Sequence, residues 1–279
     1  MSISTFVRPD LPDYKKPPVV EVAASVQFTN IPKLDATRLG LLWSRFRNDY
    51  PNTDQRSPLP VTRETRGVDK ERPIRLSMET AFPAPRLWFL NNDGTRLVQV
   101  QSNRLIVNWR RLETNDSYVR FTRLRTALEE AMLRLSAFLQ DEQLGTIEPD
   151  QVELTYVNHI PAGKKESRHE PLSRFLRWSC GATDALGPAA EEDDVSFRTR
   201  YSMSQDEERP ARLYLELDSA WSSPAQIPIY VMNLTARGAP SEPDMNGVFS
   251  FLDQAHGWIV NGFTSVTTSE AHKLWERTR

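Results

Sequence analysis

The run Val19–Phe28 alternates. Val20, Val22, Val26 and Phe28 share one parity while Glu21, Ser25 and Gln27 take the other, as a half-buried strand requires. Asp35 stands as an N-cap ahead of Leu39, Leu42, Trp43 and Phe46, spaced along one helical face, and Pro51 stops that helix. From Asn52 to Pro73 the chain is polar and proline-dotted without period, which predicts a long exposed loop. Ile74 to Met78 is a weak strand candidate. Arg86–Leu90, Leu97–Gln101 and Leu105–Trp109 predict a meander, with turns at Asn91-Asn92-Asp93-Gly94 and Ser102-Asn103, residue types that tolerate positive φ. A long helix is predicted from Tyr118 to Gln140, with Phe121, Leu124, Leu128, Met132, Leu135 and Leu139 in one stripe and Gly145 placed to end it.

Beyond Gly145 the pattern restarts. Val152 to Ile160 reads as a strand of the same character as the first, and Pro171 to Trp178 as a short helix. Phe197–Met203, Arg212–Leu217 and Ile229–Leu234 read as three strands, and Met245–Phe263 as a helix with Val248, Leu252, Ala255 and Ile259 on one side. Thr267 and Glu270 match a capping box before a last short helix ending in Trp275. The expected class is α+β: an extended segment over 1–18, then two similar β-α-β(3–4)-α halves over 19–148 and 149–279, as separate halves or one continuous domain. Each half has an antiparallel sheet covered by a long helix. That element order resembles half of the TATA-box-binding-protein-like fold or a small helix-grip fold, a likeness of fold that carries no function.

Composition narrows the class. With 39% hydrophobic and 26% charged residues in 279, the chain has the makeup of a folded protein, and a net charge of −2 excludes a polycation. No run approaches the roughly 18 apolar residues of a membrane helix. Met1 to Asp13 lacks the basic start of a secretory signal, and one cysteine, Cys180, allows no internal disulfide. A cytoplasmic protein without membrane association is expected.

Candidate chemistry is sparse. His159, His169, His256 and His272 show no metal-ligand spacing, so no metal is expected, and P-loop, Rossmann and nucleophile-elbow motifs are absent, so neither is a cofactor. His159 shares strand parity with Glu153, but six residues put them roughly 20 Å apart on an extended strand. Residues 1–150 carry 22 Lys and Arg against 19 Asp and Glu, whereas 151–279 carry 13 against 18, with Glu191 to Asp194 a local acidic run. Arg104, Arg110, Arg111, Arg120, Arg123 and Arg125 cluster in sequence, as a patch for an acidic partner or a nucleic-acid backbone, or as a solvated face paired with Glu113, Asp116, Glu129 and Glu130. Gln99 and Gln101 oppose Val98 and Val100, Asn108 and Arg110 oppose Val107 and Trp109, and Gln27 is similarly placed. If these strands are neighbours, the amides line the open side of the sheet, a surface for peptides or bases, or simply a wet one.

Several phrases carry a resemblance. Pro17-Pro18-Val19-Val20-Glu21-Val22, Leu39–Trp43, Trp88-Phe89-Leu90 with Asn92-Asp93-Gly94, Leu97–Gln101 running to Asn108-Trp109-Arg110, Val152–Pro161 and Phe251–His256 extending to Trp275 resemble a sporadically distributed, uncharacterised bacterial protein family of similar length. The phrase around Asn158-His159 is its most specific part. The resemblance implies no activity and transfers no catalytic residue; its patchy distribution is typical of toxin–antitoxin, immunity or defence cassettes. The expected function is therefore a non-catalytic protein-interaction module, a neutralising or regulatory partner whose own partner is another protein. The alternatives are a nucleic-acid binder using the curved sheet or the arginine cluster, and a ligand-binding protein or enzyme near His159. Candidate binding residues are Gln27, Gln99, Gln101, Asn108, Arg110, Arg111, Asn158 and His159.

Overall fold

Alternating apolar residues on long strands need one covering layer, and in this chain two long helices supply it. The computed structural model describes residues 11–65, 84–113, 118–165, 167–177, 194–204, 206 and 208–279. In chain order the elements are β1 (Val19–Phe28), α1 (Ala36–Trp43), β2 (Asn52–Arg56), β3 (Arg86–Leu90), β4 (Arg96–Gln101), β5 (Arg104–Arg110), α2 (Phe121–Asp141) and β6 (Pro149–Pro161). A single 3-10 turn (Leu172–Arg174) follows, then β7 (Ser196–Ser202), β8 (Ala211–Trp221), β9 (Pro228–Gly238), α3 (Met245–Val266) and α4 (Ser269–Leu274). The protein is α+β, and its strands form one nine-stranded sheet in the order β2-β3-β4-β5-β1-β6-β9-β8-β7, every neighbouring pair antiparallel. No helix among the described residues is long and apolar enough to cross a membrane.

The core lies between the sheet and the helices. Val22, Val26, Val107, Trp109, Leu154, Leu215 and Leu234 point to that side, where the α2 stripe (Leu124, Leu128, Leu135) and the α3 stripe (Val248, Leu252, Ile259) bury against them. Asp35 caps α1 as the sequence suggests, accepting the N–H of Arg38 (3.0 Å), and Asp244 caps α3, accepting the N–H of Gly247 (2.8 Å). The meander turn also forms as its residues suggest, with Gly94 at φ +72° and Asn91 Oδ1 taking the Arg96 N–H (2.9 Å).

Four expectations are corrected. Asn52–Arg56 is not loop but edge strand β2, paired with β3; every residue in it is exposed, so no alternation marks it in sequence. Pro171 to Arg177 makes only the 3-10 turn, because Arg177 N–H bonds Val266 O (2.9 Å) and Thr268 N–H bonds Phe175 O (2.9 Å), drawing the chain onto the end of α3 instead of onward as a helix. The last helix is capped one residue later than the capping box implies: Thr268 Oγ1 accepts Ala271 N–H (3.1 Å), while the Thr267 hydroxyl bonds Phe263 O (2.7 Å) and His272. A register shift between Val19 and Glu21 in the β1–β6 pairing buries Val19 where strict alternation predicts Val20. Ile74–Met78, Cys180 and Glu191 to Asp193 lie outside the described residues.

Candidate functional site

The sheet face away from the helices is polar. Strand register gathers the predicted amides there: Gln27 pairs across from Arg104, Gln101 from Arg104 on the other side, Gln99 from Ile106, and Asn108 from Ala23. Neither Asn108 nor the three glutamines is wet, each being at most 5% exposed. What covers the sheet over Gln101, Gln27 and Gln151 is the chain itself. Downstream of β2 the extended segment Ser57–Thr65 crosses the face over β4, β5, β1 and β6 towards β9 and β8.

Glutamines hold its main chain. Leu59 N–H donates to Gln101 Oε1 (2.9 Å) while Gln101 Nε2 donates back to Leu59 O (3.0 Å), so one side-chain amide pairs with one residue in both senses. Thr62 N–H donates to Gln27 Oε1 (2.9 Å), and Glu64 N–H to Gln151 Oε1 (2.9 Å). Arg104 Nη2 donates to Pro60 O (2.9 Å) and to Gln27 Oε1 (2.6 Å). The choice of residue has a physical reason. A primary amide carries a donor and an acceptor as a peptide unit does, on a stem long enough to meet a backbone lying above the sheet. Gln151 and Arg104 are absent from the predicted binding set; Gln151 falls on the same parity as Glu153, which is the signal that finds it once the neighbours of β6 are known.

The segment ends in a carboxylate pocket. Glu64, its side chain 3% exposed, accepts from Arg212 Nη1 (2.9 Å), Arg237 Nη1 (3.2 Å) and the Tyr214 hydroxyl, 2.9 Å from each oxygen. Arg237 Nε also bonds Glu153. Burial lowers the proton affinity of both guanidiniums. For Arg212 the Tyr214 contact and the Glu64 charge outweigh it, for Arg237 the Glu153 and Glu64 charges do, and both end above the usual arginine value. Burial, reinforced by the hydrogen bond to Glu64, pushes the Tyr214 hydroxyl up. All three donors therefore stay protonated at neutral pH.

The remaining predicted residues scatter. Gln99 and Asn108 join a chain of bonds crossing four strands, Arg86 to Gln99 (2.8 Å), Gln99 to Asn108 (2.7 Å) and Asn108 to Glu21 (2.7 Å), beside the segment rather than under it. Arg110 Nε is held by Gly94 O (2.9 Å), and the Arg111 guanidinium lies 5.9 Å from the Trp109 ring. His159 is half-buried on the open face opposite Val231, its proton affinity lowered by burial; Glu153 is engaged by Arg237, so strand β6 does not bring the two together. Asn158 has the opposite parity and faces the helices, 1% exposed. The arginine cluster is not one patch. Arg104 and Arg110 lie on the open face, whereas Arg120 pairs with Asp13 and Arg125 with Asp253 (2.9 Å) on the helix side. No group of three or more His, Cys, Asp or Glu suited to a metal occurs among the described residues.

Compared with protein-family models, curated proteins and solved structures, the chain matches none.

Proposed function

We propose that the protein is a non-catalytic interaction module whose open sheet face receives an extended polypeptide. One observation carries the reading: the face already binds one, its own Ser57–Thr65, through glutamine amides that engage main-chain groups and a pocket that engages one carboxylate. Main-chain capture tolerates many sequences, while the Arg212–Tyr214–Arg237 pocket demands an acidic side chain at one position, a division of labour familiar from other extended-peptide sites. Each neutral bond to the backbone contributes about 1 kcal/mol, so an outside peptide competing with the tethered segment must bring contacts of its own or find the segment displaced.

The strand order supports reading the fold as two halves of TATA-box-binding-protein-like kind. β1 and β6 lie side by side in the middle, and β5, β4 and β3 run outward from β1 as β9, β8 and β7 do from β6, with β2 unmatched. A neutralising or regulatory role in a bacterial cassette, as the family resemblance implies, fits a peptide-receiving face. The nucleic-acid reading loses its main support because the arginines are divided between two faces.

The test empties the face. Ser57–Glu64 is replaced by an equal length of Gly and Ser, and a labelled peptide spanning residues 57–65 is added in trans. Fluorescence anisotropy is expected to show saturable binding that disappears when Arg212→Ala is added. A folded, emptied chain that ignores the peptide overturns the reading.

A further inference from the structure

On the helix side, α2, α3 and the segment 11–19 line a half-open cavity of about 1230 Å3 over the middle of the sheet. That is large enough for a small organic ligand, whose sites commonly run to several hundred Å3. Its walls are mostly apolar, from Phe121 of α2 to Phe249 and Ile259 of α3. Its floor is polar. Asn158 and Tyr156 come up from β6, and His256 comes down from α3.

These floor groups are arranged as a built site. Tyr156 Oη lies 3.1 Å from His256 Nδ1, and the Phe121 ring stacks on the imidazole with centroids 4.1 Å apart and planes 8° from parallel. Burial pushes His256 down to about 4, and burial with the neighbouring Tyr118 holds Tyr156 well above the ordinary phenol value. At neutral pH the floor is thus uncharged but can form hydrogen bonds. Asn158 uses Nδ2 for Met232 O (3.0 Å), and among the described residues no group donates to its Oδ1. Asn158 as a residue is 1% exposed and lines the cavity, so an N–H or O–H group entering it can donate to Oδ1. Ion pairs also line the cavity, Arg125 with Asp253 (2.9 Å) and Arg120 with Asp13.

We propose that this cavity binds an uncharged aromatic small molecule bearing an N–H or O–H donor, the donor going to Asn158 Oδ1 and the ring packing beside Phe121 and His256. A charged group set against Asn158, Tyr156 and His256 is disfavoured, since it would lose hydration there with no ionised partner beside it. The site is on the other face from the polypeptide segment, so the inference stands apart from the interaction reading.

The test uses benzamide as probe and benzoate as its charged near-isostere, followed by ligand-detected NMR at pH 7. Benzamide is expected to bind the unmodified protein, with benzoate at least about 10-fold weaker; that factor corresponds to about 1.4 kcal/mol. Asn158→Leu is expected to weaken benzamide by at least about 10-fold with the far-UV spectrum unchanged. His256→Phe, which keeps a ring on Phe121, serves as the second variant should Asn158→Leu fail to fold, and is expected to weaken benzamide severalfold. The proposal is overturned if neither probe binds, if benzoate binds as well as benzamide, or if a folded variant binds benzamide as the unmodified chain does. The emptied-face chain of the polypeptide test should bind benzamide normally, so the two readings fail separately.

Discussion

Strand β6 passes through two environments at every second residue. Val152, Leu154, Tyr156 and Ile160 are buried on the helix side; on the other, Gln151 meets the crossing segment, Glu153 meets Arg237, Thr155 meets Thr235, and His159 is half-buried opposite Val231. The two faces are covered to different extents and by different physics. Helix-side residues gain stability from area removed from water, a term that is large and indifferent to exact geometry. Gln27, Gln101, Arg104 and Gln151 on the other face are buried polar groups, stable only while each partner is present, so losing one partner exposes the desolvation cost of the rest. The helix face makes the fold, whereas the open face holds one polar segment by matched partners.

Three measurements sharpen that contrast. The largest effect is expected on the helix face: Leu154→Ala, at a fully buried position under α3, should cost about 3–4 kcal/mol in urea unfolding with no new protease site. A loss below about 1 kcal/mol would mean that the helix layer is not the main source of stability.

Next comes the titration of His256. Its folded value of about 4 lies below the unfolded 6.5, so above pH 6.5 the ring is neutral in both states and stability is full. As pH falls from 6.5 towards 4 the unfolded chain takes up the proton first, and about 3 kcal/mol is lost over that window. His256→Phe should flatten this part of the stability profile; an unchanged slope would place the imidazole in solvent.

The smallest effect on stability, and the most selective, is Glu64→Ala. It leaves Arg212 and Arg237 without their shared carboxylate, although Arg237 keeps Glu153, so a loss of about 2 kcal/mol is expected. The diagnostic readout is local: trypsin should cut at Arg63 markedly faster in this variant than in the unmodified chain. Equal cutting rates would show that the carboxylate pocket does not hold the segment down.

The same contrast explains what could be read from residues alone. Helix-side residues declare themselves by period, because one apolar surface must recur every second residue in a strand and every third or fourth in a helix. Thus β1, β3, α2 and α3 are found nearly to their ends. The open face has no such signature. Gln27, Gln99, Gln101 and Asn108 are identifiable as amides of one parity, yet that pattern fits a solvated surface equally well. Asn158, adjacent to His159 in sequence, falls on the opposite face because neighbouring strand residues must.

Local sequence therefore determined the strands of the central sheet, the two buried helical stripes, the Asp35 cap and the Asn91–Gly94 turn, since each depends on propensity or period within a few residues. Tertiary structure alone decided the edge strand β2, the covering of the open face and the cavity. Thr62 reaches Gln27 across 35 positions, and Glu64 reaches Tyr214 across 150. Such pairs are chosen by which strands become neighbours, and that choice is made by burying the helix face, not by any pattern in the residues that end up opposite it.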